Sequence, residues 1–157
     1  NYKILYVTGK SYYEDFVANT VFPKNVKVVP YFDNLSGLMK DAYLLISRAG
    51  ASTISEILAL KIPSILIPSP YVAGNHQYYN ALDLVNMHVA ELLEEKNLTT
   101  DLIQVSINEL VNNQKCYNEL KNNLEKLNLK ESSTIIYEEI KELLKWMSMA
   151  KFMKMLI

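Results

Sequence analysis

Short apolar runs alternate with helical patterns up to about residue 98, and this alternation restricts the fold more than any other feature of the sequence. The runs are of strand length and rich in β-branched and aromatic residues. They cover residues 4–7, 26–29, 43–46, 64–67 and, more weakly, 89–93. Because they are nearly continuous, they are typical of parallel strands covered on both faces. The βαβα order predicts an α/β fold, a Rossmann-like doubly wound parallel sheet.

Helical patterns fill the intervals and dominate the rest of the chain. Between the strands they cover about 11–20, 34–41, 52–60 and 76–87. Extra C-terminal helices are predicted at about 101–112, 114–127 and 132–147. In a doubly wound sheet, ligands bind at the carboxyl ends of the strands, so the loops after the strands are where functional residues are expected.

Composition excludes several classes of function. The chain has 157 residues, the size of one domain, with 16 basic and 17 acidic side chains, so it has no surplus of positive charge for binding nucleic acid. Its single cysteine, Cys116, excludes a disulfide framework and a multi-cysteine zinc site and suits a reducing compartment. Neither histidine has a partner at metal-ligand spacing, so no metal site is predicted.

The densest motif is the segment Ile46–Glu56, in which a strand enters a small-residue turn and then a helix. Gly50 and Ala51 permit a close backbone approach, and Ser52 or Thr53 is predicted to cap the helix. The free amides of a first helical turn bind phosphate, and Glu56 lies within reach of vicinal hydroxyls. The alternative is an ordinary capped helix with an acidic residue near its start.

Two further segments follow strand ends. Residues 67–81 contain two prolines, a glycine loop and a polar helix start whose amides and imidazole suit sugar hydroxyls. Residues 29–35 place Phe32 where its backbone can meet a planar base. A solvated proline-rich loop and simple aromatic packing are the respective alternatives.

Together these segments resemble the carboxy-terminal domain of the MurG family, the N-acetylglucosaminyltransferases of peptidoglycan synthesis. The resemblance covers about residues 3–145. The residues that carry it are Tyr31-Phe32-Asp33-Asn34-Leu35, Ser47-Arg48-Ala49-Gly50-Ala51-Ser52-Thr53-Ile54-Ser55-Glu56, Pro68-Ser69-Pro70, Asn75-His76-Gln77 and Asn80-Ala81. It implies the donor half of an inverting GT-B glycosyltransferase, a UDP-GlcNAc-binding domain over residues 1–157.

The resemblance also implies the residues of a donor site. They are Phe32, Arg48, Gly50, Ala51, Ser52, Thr53, Glu56, His76, Gln77 and Asn80. By position, the Phe32 backbone would meet uracil, residues 51–53 the diphosphate, and Glu56 the ribose hydroxyls.

In the same way, His76 and Gln77 would contact GlcNAc hydroxyls, with Asn80 supporting their helix start. The family needs no metal or other cofactor in this site. A helix dipole and amides would stabilise the departing UDP instead.

The implied acceptor is the lipid-linked muramoyl-pentapeptide, bound by another domain at the cytoplasmic face of the bacterial inner membrane. The enzyme would therefore be cytoplasmic and peripheral to that membrane. The family's glycine-rich loop and amino-terminal domain are missing before Asn1, and no catalytic base is assigned. We therefore expect the isolated chain to be inactive.

Alternatives remain for the whole protein and for its tail. One alternative is a free-standing UDP-GlcNAc-binding subunit that needs a separate acceptor-binding chain. The others are a related UDP-sugar lipid glycosyltransferase and a degenerate domain. Residues 145–157 form a predicted apolar, basic tail helix. Packing on the missing domain is favoured over binding to an anionic membrane surface.

Overall fold

The structure is a computed structural model that describes residues 2–128 and 132–154, with the side chains of 2–128 and 133–146. The chain divides into two compact units, Asn1–Tyr43 and Leu44–Ile157. No helix in the described ranges is long and apolar enough to cross a membrane.

The first unit is a small βαβα segment. Its elements are β1 (Ile4–Val7), α1 (Tyr13–Ala18), β2 (Val26–Val29) and α2 (Leu35–Met39). The two strands are parallel, with Ile4 opposite Val26. The ring of Phe16 on α1 stacks on Tyr6 of β1 at 5.1 Å between centroids, which holds the helix against the sheet. Asn34 caps α2, since its Oδ1 accepts a hydrogen bond from the Gly37 N–H at 3.0 Å.

The second unit contains a three-stranded parallel sheet and five α-helices in its described part. Its elements are β3 (Leu45–Ser47), α3 (Ala51–Leu60), β4 (Ser64–Leu66), α4 (His76–Asn86), β5 (Ala90–Leu92), α5 (Thr100–Asn112), α6 (Gln114–Lys126) and α7 (Ser132–Lys154). Short 3-10 turns cover Ala73–Asn75 and Glu95–Asn97. Strand β4 lies between β3 and β5, and all of its residues are buried.

Two apolar clusters cover the two faces of this sheet. Leu66 belongs to one cluster, with Ile57 of α3 and Leu124 of α6, and all three are fully buried. Ile65 belongs to the other, with Leu110 of α5. Because neighbouring strand residues point to opposite faces, β4 contributes to both clusters.

The predicted α/β class with parallel strands and extra C-terminal helices is confirmed. The described strands form two separate sheets, β1-β2 and β3-β4-β5. The third strand begins at Leu45 rather than at residue 43, because the ladder starts where the Leu45 N–H donates to the Pro63 carbonyl at 3.1 Å. The single domain over residues 1–157 stays a prediction.

Helix α7 presents a row of exposed apolar side chains. They are Ile135, Ile136, Tyr137, Ile140, Leu143, Leu144 and Trp146. The predicted tail, 145–157, lies largely outside the residues whose side chains are described. Its packing on another domain or on a membrane stays a prediction.

Candidate functional site

Helix α3 begins at the carboxyl end of β3 with its first amides uncapped. Gly50 is the N-cap residue, in an extended conformation (φ −68°, ψ 151°), and its carbonyl accepts from the Ile54 N–H at 2.9 Å. The N–H groups of residues 51–53 have no partner within the helix, and no side chain caps them. The predicted cap by Ser52 or Thr53 is therefore wrong. Because the helix starts at Ala51, both residues already lie in its first turn.

Glu56 lies on the face of α3 that also carries Ser52 and Thr53 of the first turn. It follows Ser52 by four residues and Thr53 by three, and these spacings make helix neighbours. Its side chain is half-buried, and the next residue, Ile57, is fully buried in the core. The core contact of Ile57 thus fixes the rotation of α3 and, with it, the face of the helix on which Glu56 lies.

A second polar helix start follows β4. Gly74 (φ 61°, ψ 14°) and Asn75 (φ 51°, ψ 29°) both adopt left-handed backbone conformations that turn the chain into α4. Asn75 is the N-cap residue, and its side chain makes no capping hydrogen bond. The first amides of α4, like those of α3, thus remain available to a ligand.

His76 and Gln77 are oriented by hydrogen bonds within this loop. The Nδ1 of His76 lies 2.8 Å from the Ala73 carbonyl, which can only accept, so Nδ1 carries the proton. With the proton on Nδ1, the uncharged form of the ring presents Nε2 as an acceptor. Gln77 accepts from the Ser69 N–H at 2.9 Å through Oε1, so its Nε2 presents two donor hydrogens. This combination of donors and acceptors suits hydroxyl groups.

Asn80 joins the two helix starts. Its Nδ2 donates to the Ala49 carbonyl at 3.1 Å, which links the first turns of α4 to the loop before α3. Parallel neighbouring strands end at the same edge of a sheet, so both helix starts lie at that edge. The structure therefore brings together the predicted residues from Gly50 to Glu56 and from His76 to Asn80.

Arg48 and Phe32 are the predicted site residues that lie outside these two helix segments in the sequence. The Nη1 of Arg48 forms an ion pair with Glu95 and donates to the Ile67 carbonyl at 3.2 Å. Phe32 belongs to the first unit, between β2 and α2, and its backbone contact with a base stays a prediction. Sequence reasoning missed Glu95. Its position in the loop after β5, three residues beyond Leu92, was the available signal, since Arg48 lies in the loop after β3.

A cleft of about 350 Å³ lies beside β5 and contains a carboxyl with a perturbed pKa. Burial raises the pKa of Glu91 above its ordinary value, and the nearby charge of Glu109 adds to the shift. Hydrogen bonds from Cys116 and Asn113 lower the pKa of Glu109. Among the described residues, no group of three or more His, Cys, Asp or Glu side chains is placed to hold a metal ion.

We expect Glu91→Gln to increase the free energy of unfolding at pH 7 and to leave it nearly unchanged at pH 4. The folded pKa of Glu91 lies above the unfolded one, so its stabilising contribution is present below its ordinary pKa of 4.5. That contribution is lost as the pH rises through the raised pKa. Urea denaturation at both pH values measures the difference, with exposed Glu119→Gln as the control. An equal effect of Glu91→Gln at both pH values would contradict the assignment.

The parallel sheet with two uncapped helix starts at its carboxyl edge defines an α/β domain suited to binding a phosphorylated ligand. Residues 1–147 match the glycosyltransferase family 28 C-terminal domain, and the chain belongs to this family.

Similar sequences have longer chains. Over 148 residues this chain is 36% identical to the UDP-N-acetylglucosamine–N-acetylmuramyl-(pentapeptide) pyrophosphoryl-undecaprenol N-acetylglucosamine transferase of Bacillus cytotoxicus, an alignment covering 92% of this chain and 41% of that protein. It is 45% identical over 102 residues to the protein of the same name from Lactiplantibacillus plantarum, covering 63% of this chain and 28% of that protein. The chain thus spans about two fifths or less of these relatives.

Solved structures show the same fold. MurG from Acinetobacter baumannii matches with a TM-score of 0.68 and 23% identity, over 79% of this chain and 37% of that one. The glycosyltransferase VinC, in complex with dTDP, matches with a TM-score of 0.65 and 18% identity, over 79% and 28% of the two chains. The architecture is that of the carboxy-terminal domains of GT-B glycosyltransferases.

Proposed function

We propose that this chain binds UDP-GlcNAc as the donor part of an inverting glycosyltransferase that transfers GlcNAc to a lipid-linked muramoyl-pentapeptide. Membership of glycosyltransferase family 28 and the names of its 36% identical relatives support both substrates. The observation that carries the proposal is the pair of uncapped helix starts, α3 and α4, joined through Asn80 and Ala49.

In this proposal α3 binds the diphosphate. Three adjacent amides, at Ala51, Ser52 and Thr53, point out of the helix start, and the helix dipole adds positive potential there. The same groups stabilise the negative charge that develops on UDP as the glycosidic bond to GlcNAc breaks. Transfer of the sugar therefore requires no metal in this site.

Glu56 and Phe32 bind the nucleoside in the same proposal. The Glu56 carboxylate accepts hydrogen bonds from the ribose hydroxyls, about one turn from the diphosphate amides. The backbone of Phe32 meets the uracil edge.

Helix α4 then binds the sugar. The Nε2 acceptor of His76 and the Nε2 donors of Gln77 form hydrogen bonds with GlcNAc hydroxyls. Their orientation by Ala73 and Ser69 reduces the entropy that binding must remove.

Isothermal titration calorimetry on the 157-residue chain tests the proposal. We expect UDP-GlcNAc to bind more tightly than UDP, UDP-glucose and UDP-galactose, and to bind equally well in EDTA. A chain that binds neither UDP nor UDP-GlcNAc would refute the proposal. A preference for UDP-glucose or UDP-galactose would indicate a related UDP-sugar transferase.

We expect Gly50→Ser to stabilise the fold and to weaken UDP binding. At the N-cap, a serine hydroxyl accepts from a first-turn amide, which stabilises the helix by a few tenths of a kcal/mol relative to glycine but occupies a group that the diphosphate needs. Gly50→Ala is the matched control, because an added Cβ meets only the Thr53 Oγ1, at 4.0 Å, and offers no acceptor. Thermal unfolding and UDP titration measure both effects. Equal UDP affinity of the serine and alanine variants would contradict the assignment of these amides.

We further propose that the enzyme acts at the cytoplasmic face of the bacterial inner membrane as a peripheral protein, because a lipid-linked acceptor is confined to a membrane. Co-sedimentation with phosphatidylglycerol vesicles, with and without residues 145–157, tests the part played by the tail. Equal sedimentation of the two chains would exclude the tail as a membrane contact.

A further inference from the structure

We infer that Glu95 is a positioning residue for the donor site. It acts through Arg48 to fix the loop that leads into α4, the helix proposed to bind the sugar, relative to the start of α3. This inference rests on the proposed function. It concerns a residue that lies outside the predicted site and contacts that site through Arg48.

Because the ends of the three strands are aligned, the Arg48 side chain can contact the loops after the other two strands. Ser47, Leu66 and Leu92 are the last residues of β3, β4 and β5, and they lie opposite one another in register. Arg48 follows β3 directly, and its guanidinium extends past the end of the central strand β4 to Glu95 beyond β5. On the way it donates to the carbonyl of Ile67, the first residue after β4, at 3.2 Å. One side chain thus connects all three strand ends.

This connection fixes the loop that leads from β4 to α4, where the groups proposed to bind the sugar lie. Ile67 precedes the segment Pro68–Pro70, and the N–H of Ser69 in that segment donates to Gln77 at 2.9 Å. The loop is therefore held by Arg48 at its start and by Gln77 beyond it. The residue after Arg48, Ala49, accepts from Asn80, so the backbone beside Arg48 is also tied to α4.

Glu95 is what keeps the guanidinium in this place. An arginine side chain has several rotatable bonds, and a carboxylate partner holds its planar group in one orientation. The pair is partly exposed, with 52% of the Arg48 side chain and 29% of the Glu95 side chain accessible, so it contributes little to the stability of the fold. Removing Glu95 is therefore expected to change the site rather than the stability.

The test compares Glu95→Ala with the wild-type chain by calorimetry with UDP and with UDP-GlcNAc. We expect the Kd for UDP-GlcNAc to rise about fivefold to tenfold, the effect of losing one well-placed hydrogen bond, and the Kd for UDP to change less than about twofold. Glu95→Gln keeps an acceptor oxygen for Arg48 and should restore part of the lost affinity. Hydrogen exchange of the Ser69 amide should be faster in Glu95→Ala than in the wild type.

Glu94→Ala is the matched control. Glu94 is the neighbouring carboxylate and pairs with Lys96 at 2.9 Å, so its removal makes the same charge change without contact with Arg48. Equal weakening of UDP and UDP-GlcNAc by Glu95→Ala, or an equal effect of Glu94→Ala, would overturn the inference. A wild-type chain that binds neither ligand would instead refute the proposed function. Binding to the wild type is therefore measured before any variant is tested.

Discussion

Replacing Glu56 with alanine is expected to raise the Kd for UDP by about 10- to 150-fold. In the proposed complex the carboxylate accepts charge-assisted hydrogen bonds from the ribose hydroxyls, and such bonds contribute about 1.5–3 kcal/mol. Glu56 is half-buried about one turn from the amides proposed to bind the diphosphate, and it is the only acidic residue of α3. Calorimetric titration of the wild type and the variant with UDP measures the loss.

A ligand with an altered ribose separates this role from a structural one. With 2′-deoxy-UDP the wild type already lacks one of the hydroxyl contacts. Glu56→Ala should therefore reduce the affinity for 2′-deoxy-UDP less than it reduces the affinity for UDP. Thermal unfolding of Glu56→Ala without ligand shows whether the variant is folded. If the variant lost the same affinity for UDP and 2′-deoxy-UDP, Glu56 would not bind the ribose.

Replacing the next residue has a different consequence. We expect Ile57→Ala to lower the free energy of unfolding by about 2–5 kcal/mol, because it leaves a cavity in the core against Leu66 and Leu124. Ile57→Val removes one methyl group and should cost about 0.5–1.5 kcal/mol. Urea denaturation measures both values.

An exposed position provides the control for this core variant. Val105 on α5 is 62% exposed, and Val105→Ala should change the free energy of unfolding by no more than about 0.5 kcal/mol. If Ile57→Ala cost no more than Val105→Ala, the packing of α3 on the sheet would be wrong. The two adjacent variants are thus expected to separate an effect on binding, at Glu56, from an effect on stability, at Ile57.

Much of the site was predictable because it is local. A strand followed by small residues and an amphipathic helix indicates an α3 start near Gly50, and helix spacing places Glu56 on the face of the first turn. The cap was mispredicted by two or three residues. Either Ser52 or Thr53 has a side chain that can cap, but the extended backbone of Gly50 already occupies that position.

The pairing of residues across the sheet was not predictable in the same way. Arg48 and Glu95 are 47 positions apart, and Asn80 and Ala49 are 31 apart. These pairs form only because β3, β4 and β5 align in register, which places three loops at one edge. A shift of one residue in this register would turn the strand side chains to the opposite faces.

The sequence by itself determined the α/β class and the approximate helix starts, and it singled out the residues proposed to bind a ligand, since these inferences depend on apolar periodicity and on neighbours within one helical turn. The tertiary structure decided which of those residues meet. It directed Arg48 to Glu95 and Ile67, tied Asn80 to Ala49, and oriented Gln77 through Ser69. The physical reason is that a hydrogen bond acts over about 3 Å, whereas its partners lie far apart in the chain until strand register and core packing bring them together.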